Sequence, residues 1–277
     1  MPVIATNTAA NSAVRYLNIN ASEQSKSLSK LASGSRITQA SDDAAGLAIA
    51  TRISSDVTTL QQAATNASHG VSILQTADGG ASNISDILQR LKALATEAAS
   101  GTVGDTERSY INEEFAQLLD EIDTIASGTR YNGVSLLDDT DTDNEFDTGT
   151  DVIVGSDTTD TITITIDSLT SADLGVDTLD VSTQAGAATA LDTITDAIDT
   201  VSAARAKIGA QESRFEFTSA SIASSVENLS AANSAISDVD IASEEAKLAS
   251  AQVMVQAAVS AASSANQLTQ NLLKLLQ

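Results

Sequence analysis

Apolar residues recur along most of this chain at alternating steps of three and four, the spacing that lines one face of a helix. From Asn7 to Leu31 the rhythm is carried by Ala10, Val14, Leu17, Ala21, Leu28 and Leu31, with Gln24 as its polar member. Gly34 predicts the stop. Ser41 then reads as an N-cap, with Asp42 and Asp43 in the first turn, where carboxylates favour the helix dipole. The next stripe is Ile53, Val57, Leu60, Ala64, Ala67, Val71 and Leu74, and Gly79-Gly80 predicts a break or bend after it. Ile84, Ile87, Leu91, Leu94 and Ala98 resume the pattern, and Gly101 to Asp105 reads as a turn. Ile111, Phe115, Leu118, Ile122 and Ile125 predict a further helix, which exits into a loop at Tyr131-Asn132-Gly133.

The middle of the chain has a different period. Residues Thr161 to Ile166 alternate Thr and Ile strictly, as a half-buried strand does, and Asp151 to Val154 is a second β-branched run. Gly155 to Asp160 between them is rich in turn formers, so the pair predicts a β-hairpin with a long loop. Helical spacing returns at Leu191, Ile194, Ile198, Val201 and Ile208, then at Phe215, Ile222, Val226, Leu229 and Ile236, with Asn233 polar. The last stripe is Leu248, Ala251, Val255, Ala258, Ala262, Ala265, Leu272 and Leu276, with Thr269 polar. The fold class is therefore mainly α: long helices from both termini, further helices inside them, and a small β-hairpin region.

The two ends carry apolar stripes without a globular neighbour in sequence. An isolated helix is marginal in water, and a stripe of Ala and Val buries little area. The ends must pair. A closed intramolecular antiparallel coiled coil and a polymer of paired helices both satisfy the spacing.

Composition narrows the functions. There is no Cys, no Trp, a single Pro (Pro2) and a single His (His69), and aromatics make up 3% of residues. Disulfides, thiolate metal sites and a two-histidine zinc protease motif are excluded. His69 reads as a solvent-facing or interface residue with no orienting partner or nucleophile marked around it. Asp139 to Asp143 begins like a calcium loop, but Asn144 and Thr150 stand where such a loop needs Gly and Glu. No Gly-rich phosphate loop occurs, since Gly79-Gly80 lacks the following Lys and Ser/Thr. We expect no catalytic, cofactor or metal residues. The net charge of −23 disfavours nucleic acid and anionic membranes as partners. From Tyr131 to Ala204 there is no Lys or Arg at all. No apolar stretch reaches the ~20 residues of a membrane span, and the N-terminus lacks a Sec-type signal pattern.

A series of motifs resembles the bacterial flagellins. Leu31 to Ile37 (LASGSRI) followed by Ser41 to Ala50 (SDDAAGLAIA) is similar to that family's N-terminal signature. Leu88 to Leu94, Arg130 to Val134 and Gly209 to Phe215 resemble later motifs in order, although Ser213 stands where Asn is usual. Ile236 to Asp240 and Ala265 to Gln267 resemble the closing ones, and the match spans nearly the whole chain.

The resemblance implies a structural subunit that polymerises into the extracellular flagellar filament for swimming, and not an enzyme. It is exported unfolded by the flagellar type III apparatus. The alternative within the same axial family is a hook–filament junction protein. The implied layers are an inner coiled coil from residues 1–40 and 238–277 and a rod domain from 41–138 and 185–237. Residues 139–184 form the rod's hairpin region, leaving little for an outer domain. Val14, Leu17, Leu28, Leu31, Leu248, Val255, Leu272 and Leu276 are the expected packing positions of the inner layer. The implied partners are further copies, alone or mixed with other flagellins, an export chaperone on Ile241 to Gln277, the filament cap and hook-junction proteins. The family's contact Arg, Leu and Glu for the innate Toll-like receptor match Arg90, Leu94 and Glu114, with Ala93 and Glu97 departing from it on the flanks. The same surface also suits packing between subunits.

Overall fold

A computed structural model describes residues 6–139 and 146–275. The acidic run from Asp139 lies outside the described residues after its first member, as does Leu276. The elements are α1 (Thr8–Ser33), α2 (Ala44–Ala99), α3 (Asp105–Gly128), β1 (Arg130–Tyr131), β2 (Val134–Ser135), β3 (Thr150–Ile153), β4 (Thr161–Ile164), α4 (Gln184–Ser237) and α5 (Ile241–Leu275). The chain divides into two compact units, one of residues up to Val57 with those from Glu227 onward, the other Thr58–Val226. The expected boundaries at 40/41 and 237/238 fall at links between helices, whereas these units divide inside α2 and α4.

In the first unit α1 and α5 pair antiparallel. Asn7 caps α1 through its Oδ1, which accepts from the Ala10 N–H at 3.1 Å, while its Nδ2 donates to the Ala265 carbonyl at 2.9 Å. Gly34 ends α1 with φ +69°, the left-handed position that a glycine takes without steric cost. Beyond it the Arg36 N–H donates to the Ser237 carbonyl and the Val239 N–H to the Gly34 carbonyl, so the exit of α1 is tied to the exit of α4. The cap of α2 is Asp43, not Ser41. Asp43 Oδ1 accepts from the Gly46 N–H at 2.8 Å, and the Ser41 hydroxyl reaches only Gln39. Asp42 is occupied by the turn before it, accepting from the Thr38 and Gln39 N–H groups and the Thr38 hydroxyl.

In the second unit α2, α3 and α4 enclose the core. Gly79-Gly80 does not interrupt α2. The buried face reads Ala63, Ala67, Gly70, Leu74, Ala77, Ala81, Ile84, Leu88, Leu91, Ala95 and Ala98, an unbroken alternation of four and three straight through the glycines. Packing on that continuous face outweighs the ~1 kcal/mol that each helical glycine costs relative to alanine. Gly80 also permits a close approach: a Cβ there would sit 2.4 Å from Thr129 Oγ1 and 2.7 Å from Leu137 Cδ1. Asn132 and Gly133, both at positive φ, form the two-residue turn of a β1–β2 hairpin where a plain loop was expected.

The longer hairpin forms as the alternation predicts, Ile153 opposite Thr161 and Thr150 opposite Ile164. Ile162, Ile164 and Ile166 point into the core. Polar side chains hold this region by its backbone. Gln211 on α4 accepts from the Thr165 N–H and donates to the Thr165 carbonyl, Asn66 on α2 donates to the Ile153 carbonyl, and Asp123 on α3 accepts from the Ser171 N–H and hydroxyl. Arg108, itself buried, donates to the carbonyl of Ala98 in the last turn of α2 and to that of Ser100 in the turn beyond it.

Candidate functional site

The α1–α5 pair is where sequence and structure differ most usefully. On α5 the residues turned toward α1 are Glu244, Leu248, Ala251, Val255, Ala258, Ala262 and Ala265, the expected stripe begun one step earlier. On α1 they are Ala10, Ala13, Leu17, Asn20, Gln24, Ser27 and Leu31. Ala10, Leu17, Gln24 and Leu31 are the shared column of two overlapping stripes. One flank of it is Ala13, Asn20 and Ser27; the other is Val14, Ala21 and Leu28. The chain turns the more polar flank toward its own α5 and leaves the more apolar one outside, with Val14 46% and Leu28 58% exposed. Of the expected packing positions of the inner layer, Val14 and Leu28 lie outside the seam within this chain. Leu17, Leu31, Leu248 and Val255 are half-buried in it, and Leu272 lies on α5.

The reason lies in a polar contact that the apolar periodicity does not carry. Glu244 is 6% exposed, and a buried carboxylate needs partners. Ser27 supplies one, its hydroxyl donating to Glu244 Oε1 at 2.7 Å, and Lys247 Nζ donates to Oε2 at 3.0 Å. Leucine at the inward-facing position would leave Oε1 without that donor. The Ser27 hydroxyl first, and Lys247 second, hold the Glu244 carboxyl below its ordinary value of 4.5. Nothing in the sequence marked Ser27, but Glu244 could have been found by extending the α5 stripe back four residues.

This contact has a signed pH dependence. A carboxylate whose folded pKa is depressed adds stability above its unfolded pKa and loses it as pH falls through the folded value. Monomer stability is expected to drop on acidification below about pH 4.5, and Glu244→Gln should make that drop shallower while lowering stability at neutral pH. Thermal melts of both chains from pH 7 to pH 3 check this, and parallel profiles would exclude a role for Glu244.

The exposed apolar side chains on this pair are numerous. Val14, Tyr16, Ile19 and Leu28 lie on α1, and Ile241, Val253, Met254, Val259 and Leu268 on α5. Scattered surface apolar residues are ordinary, but two long helices each carrying a series of them mark an interaction surface.

The second candidate set separates. Arg90 and Glu114 lie at the surface and bond to each other, Nη2 to Oε1 at 2.6 Å and Nε to the same oxygen at 3.0 Å. Leu94 is 2% exposed inside the core, so the structure does not bring it to the surface beside Arg90 and Glu114. Its place in the Leu88–Leu91–Leu94–Ala95 face is the cause. His69 is exposed. Among the described residues no three His, Asp or Glu side chains converge as a metal set, and no helix is long and apolar enough to cross a membrane.

Comparison with known proteins bears on the whole chain. Residues 4–142 match the family model described as the bacterial flagellin N-terminal helical region, and residues 191–276 the one described as the bacterial flagellin C-terminal helical region. The chain is 35% identical over 291 residues to the flagellar filament 33 kDa core protein of Treponema phagedenis, covering 99% of this chain and 100% of the relative. It is 34% identical over 280 residues to the flagellin of Halalkalibacterium halodurans, again covering 99% and 100%. Among solved structures, the crystal structure of Bacillus cereus flagellin is similar at 32% identity and a TM-score of 0.53, over 61% of this chain and 94% of that one.

Proposed function

The chain belongs to the bacterial flagellin family, and from that premise we infer that it is the structural subunit that polymerises into the extracellular filament of the flagellum, the organ of swimming. The observation that carries this reading is the exposed apolar flank of the α1–α5 pair. A helix pair that closed on itself as a finished coiled coil would bury Val14 and Leu28 and expose Ser27. This pair does the reverse, which leaves apolar surface for neighbouring copies. The relatives are named for flagellin and the filament core, which favours a filament subunit over a hook-junction adaptor.

Family membership supports the finer parts of the reading. Residues 1–40 and 238–277 supply the inner layer, 41–138 and 185–237 the rod layer and 139–184 its hairpin region, with little left for an outer domain. Helix α5 and the residues after it are the chaperone-binding segment during type III export. The cap and the hook-junction proteins meet the chain at the two ends of the filament. Contact with the innate receptor, if made by a folded monomer, rests on the surface pair Arg90 and Glu114, because Leu94 lies in the core.

The test is seeded growth. Purified monomer mixed with sheared filament fragments should elongate them into long filaments under negative-stain microscopy. Monomer that caps the fragments without extending them would make it a junction protein instead.

A further inference from the structure

An Asn–Gly step favours a tight turn, and it is also the most reactive setting for asparagine, a labile residue. This chain has one such step, Asn132-Gly133. The backbone nitrogen that follows an asparagine can close a five-membered ring on the side-chain amide carbon. Two barriers usually prevent it. A side chain on the following residue crowds the approach, and a regular backbone ties that nitrogen into a hydrogen bond and fixes its direction.

Neither barrier stands at Asn132. Gly133 has no side chain, and even a Cβ there would meet nothing within 4 Å, so the approach is open. The Gly133 N–H donates to no acceptor among the described residues. Asn132 is exposed, and its side-chain amide has no hydrogen-bond partner among them either. Its φ of +51° is a left-handed conformation that costs asparagine more than glycine. Only the pairs Arg130–Ser135 and Tyr131–Val134 hold the turn, and so short a hairpin opens locally with ease.

Elsewhere both barriers hold. Every other asparagine among the described residues lies in a helix or, as Asn7 does, caps one, and each is followed by a residue with a side chain. The one Asp–Gly step, Asp78-Gly79, lies inside α2, and its carboxylate is bonded to Arg205 Nε at 2.8 Å.

We propose that Asn132 is the chain's site of spontaneous deamidation, with water as the co-reactant, and that the reaction unlocks the β1–β2 hairpin. The Gly133 nitrogen gives its proton to hydroxide and attacks Asn132 Cγ. The N–Cγ bond forms, the Cγ–Nδ2 bond breaks, and ammonia leaves with a proton from water. Water then opens the cyclic imide. Cleavage at Cγ leaves aspartate. Cleavage at the main-chain carbonyl leaves isoaspartate, whose main chain is one methylene longer. A two-residue turn cannot absorb that length, so Tyr131 and Val134 lose their pairing. The groups just beyond are core groups. The buried Ser135 hydroxyl donates to the Ala126 carbonyl at 3.1 Å, the Leu136 N–H donates to the Thr129 carbonyl at 2.9 Å, and Leu136 and Leu137 are fully buried.

The experiment incubates the full folded chain at 37 °C at pH 6 and at pH 8.5, beside a free peptide of residues 130–135. Peptide mass spectrometry locates each amide converted to acid, and an isoaspartyl methyltransferase counts isoaspartate. We expect Asn132 to convert at least about tenfold faster than any helical asparagine, because helix interiors open less often than a short hairpin. Conversion should be faster at pH 8.5, where more of the nitrogen is deprotonated. The isoaspartate chain should unfold at lower urea than the parent. Asn132→Asp, which keeps the main-chain length and suits the same turn, should match the parent. Conversion spread evenly over the helical asparagines overturns the proposal, as does an intact Asn132 once the free peptide has fully reacted. An isoaspartate chain as stable as the parent, or an Asn132→Asp chain weakened equally, overturns the unlocking of the hairpin. The filament-subunit reading stands whichever way this test falls.

Discussion

Replacing both Val14 and Leu28 by aspartate is expected to abolish filament growth while leaving the folded monomer almost unchanged. Both side chains are exposed in the monomer, outside the seam with α5, so each substitution removes little intramolecular packing. Exposed helix substitutions of this kind usually cost within about 0.5 kcal/mol. The capping of α1 by Asn7 and the Ser27–Glu244 bond are untouched. In the polymer the balance differs. Burying a Val or Leu side chain is worth about 1.5–3 kcal/mol, and burying a carboxylate without a partner costs at least as much again. At 1.4 kcal/mol per factor of ten, two such sites per subunit lower the affinity of each addition by more than about a thousandfold. The measurement is seeded elongation beside far-ultraviolet circular dichroism of the monomer, with Ser25→Asp on the same helix as the control for added charge. Normal elongation of the double variant would show that the exposed flank of α1 does not touch a neighbouring copy.

The same flank shows what the sequence could and could not reveal. Periodicity is local, so the helices and the Thr–Ile strand were legible residue by residue. The stripe of α5 was legible too, because Leu248, Val255 and the alanines keep one unbroken spacing of three and four, whereas the exposed Val253, Met254, Val259 and Leu268 fall outside it. On α1 two flanks share one column, and hydrophobicity alone favours Val14 and Leu28. The choice is made by Glu244, more than two hundred residues away, which needs a hydroxyl opposite it. Gly79-Gly80 misled for a related reason: a glycine pair is a local weakness, and the seven-residue pattern from Ala63 to Ala98 that overrides it is satisfied only by packing. Asn132-Gly133 carried a strong hairpin signal, but its two-residue strands were too short to show a period. Arg108, Asp123 and Gln211 were invisible, since each serves backbone groups of a loop or helix end whose position only the fold determines.

The largest stability effect is expected at Phe215, and it should be coupled to Gly70. Phe215 on α4 is fully buried, and its ring lies against Gly70 on α2, where a Cβ would stand 3.0 Å from both Cε1 and Cζ. Phe215→Ala empties that site, and truncating a buried phenylalanine costs about 3–5 kcal/mol. Gly70→Ala alone faces two opposed effects. It gains the ~1 kcal/mol by which alanine exceeds glycine inside a helix, and it presses a methyl group into the ring, where overpacking costs about 1–3 kcal/mol. The net should be destabilising. Once the ring is gone the second effect vanishes, and the new methyl group occupies part of the cavity. In the Phe215→Ala background, then, Gly70→Ala should raise stability by about 1 kcal/mol. A reversal of sign between the two backgrounds is a signature that neither propensity nor cavity size produces alone. Urea unfolding of the four monomers closes the cycle. Additive effects, or a Gly70→Ala chain more stable than the parent by the full helical gain, would mean that the ring does not press on α2 at this position.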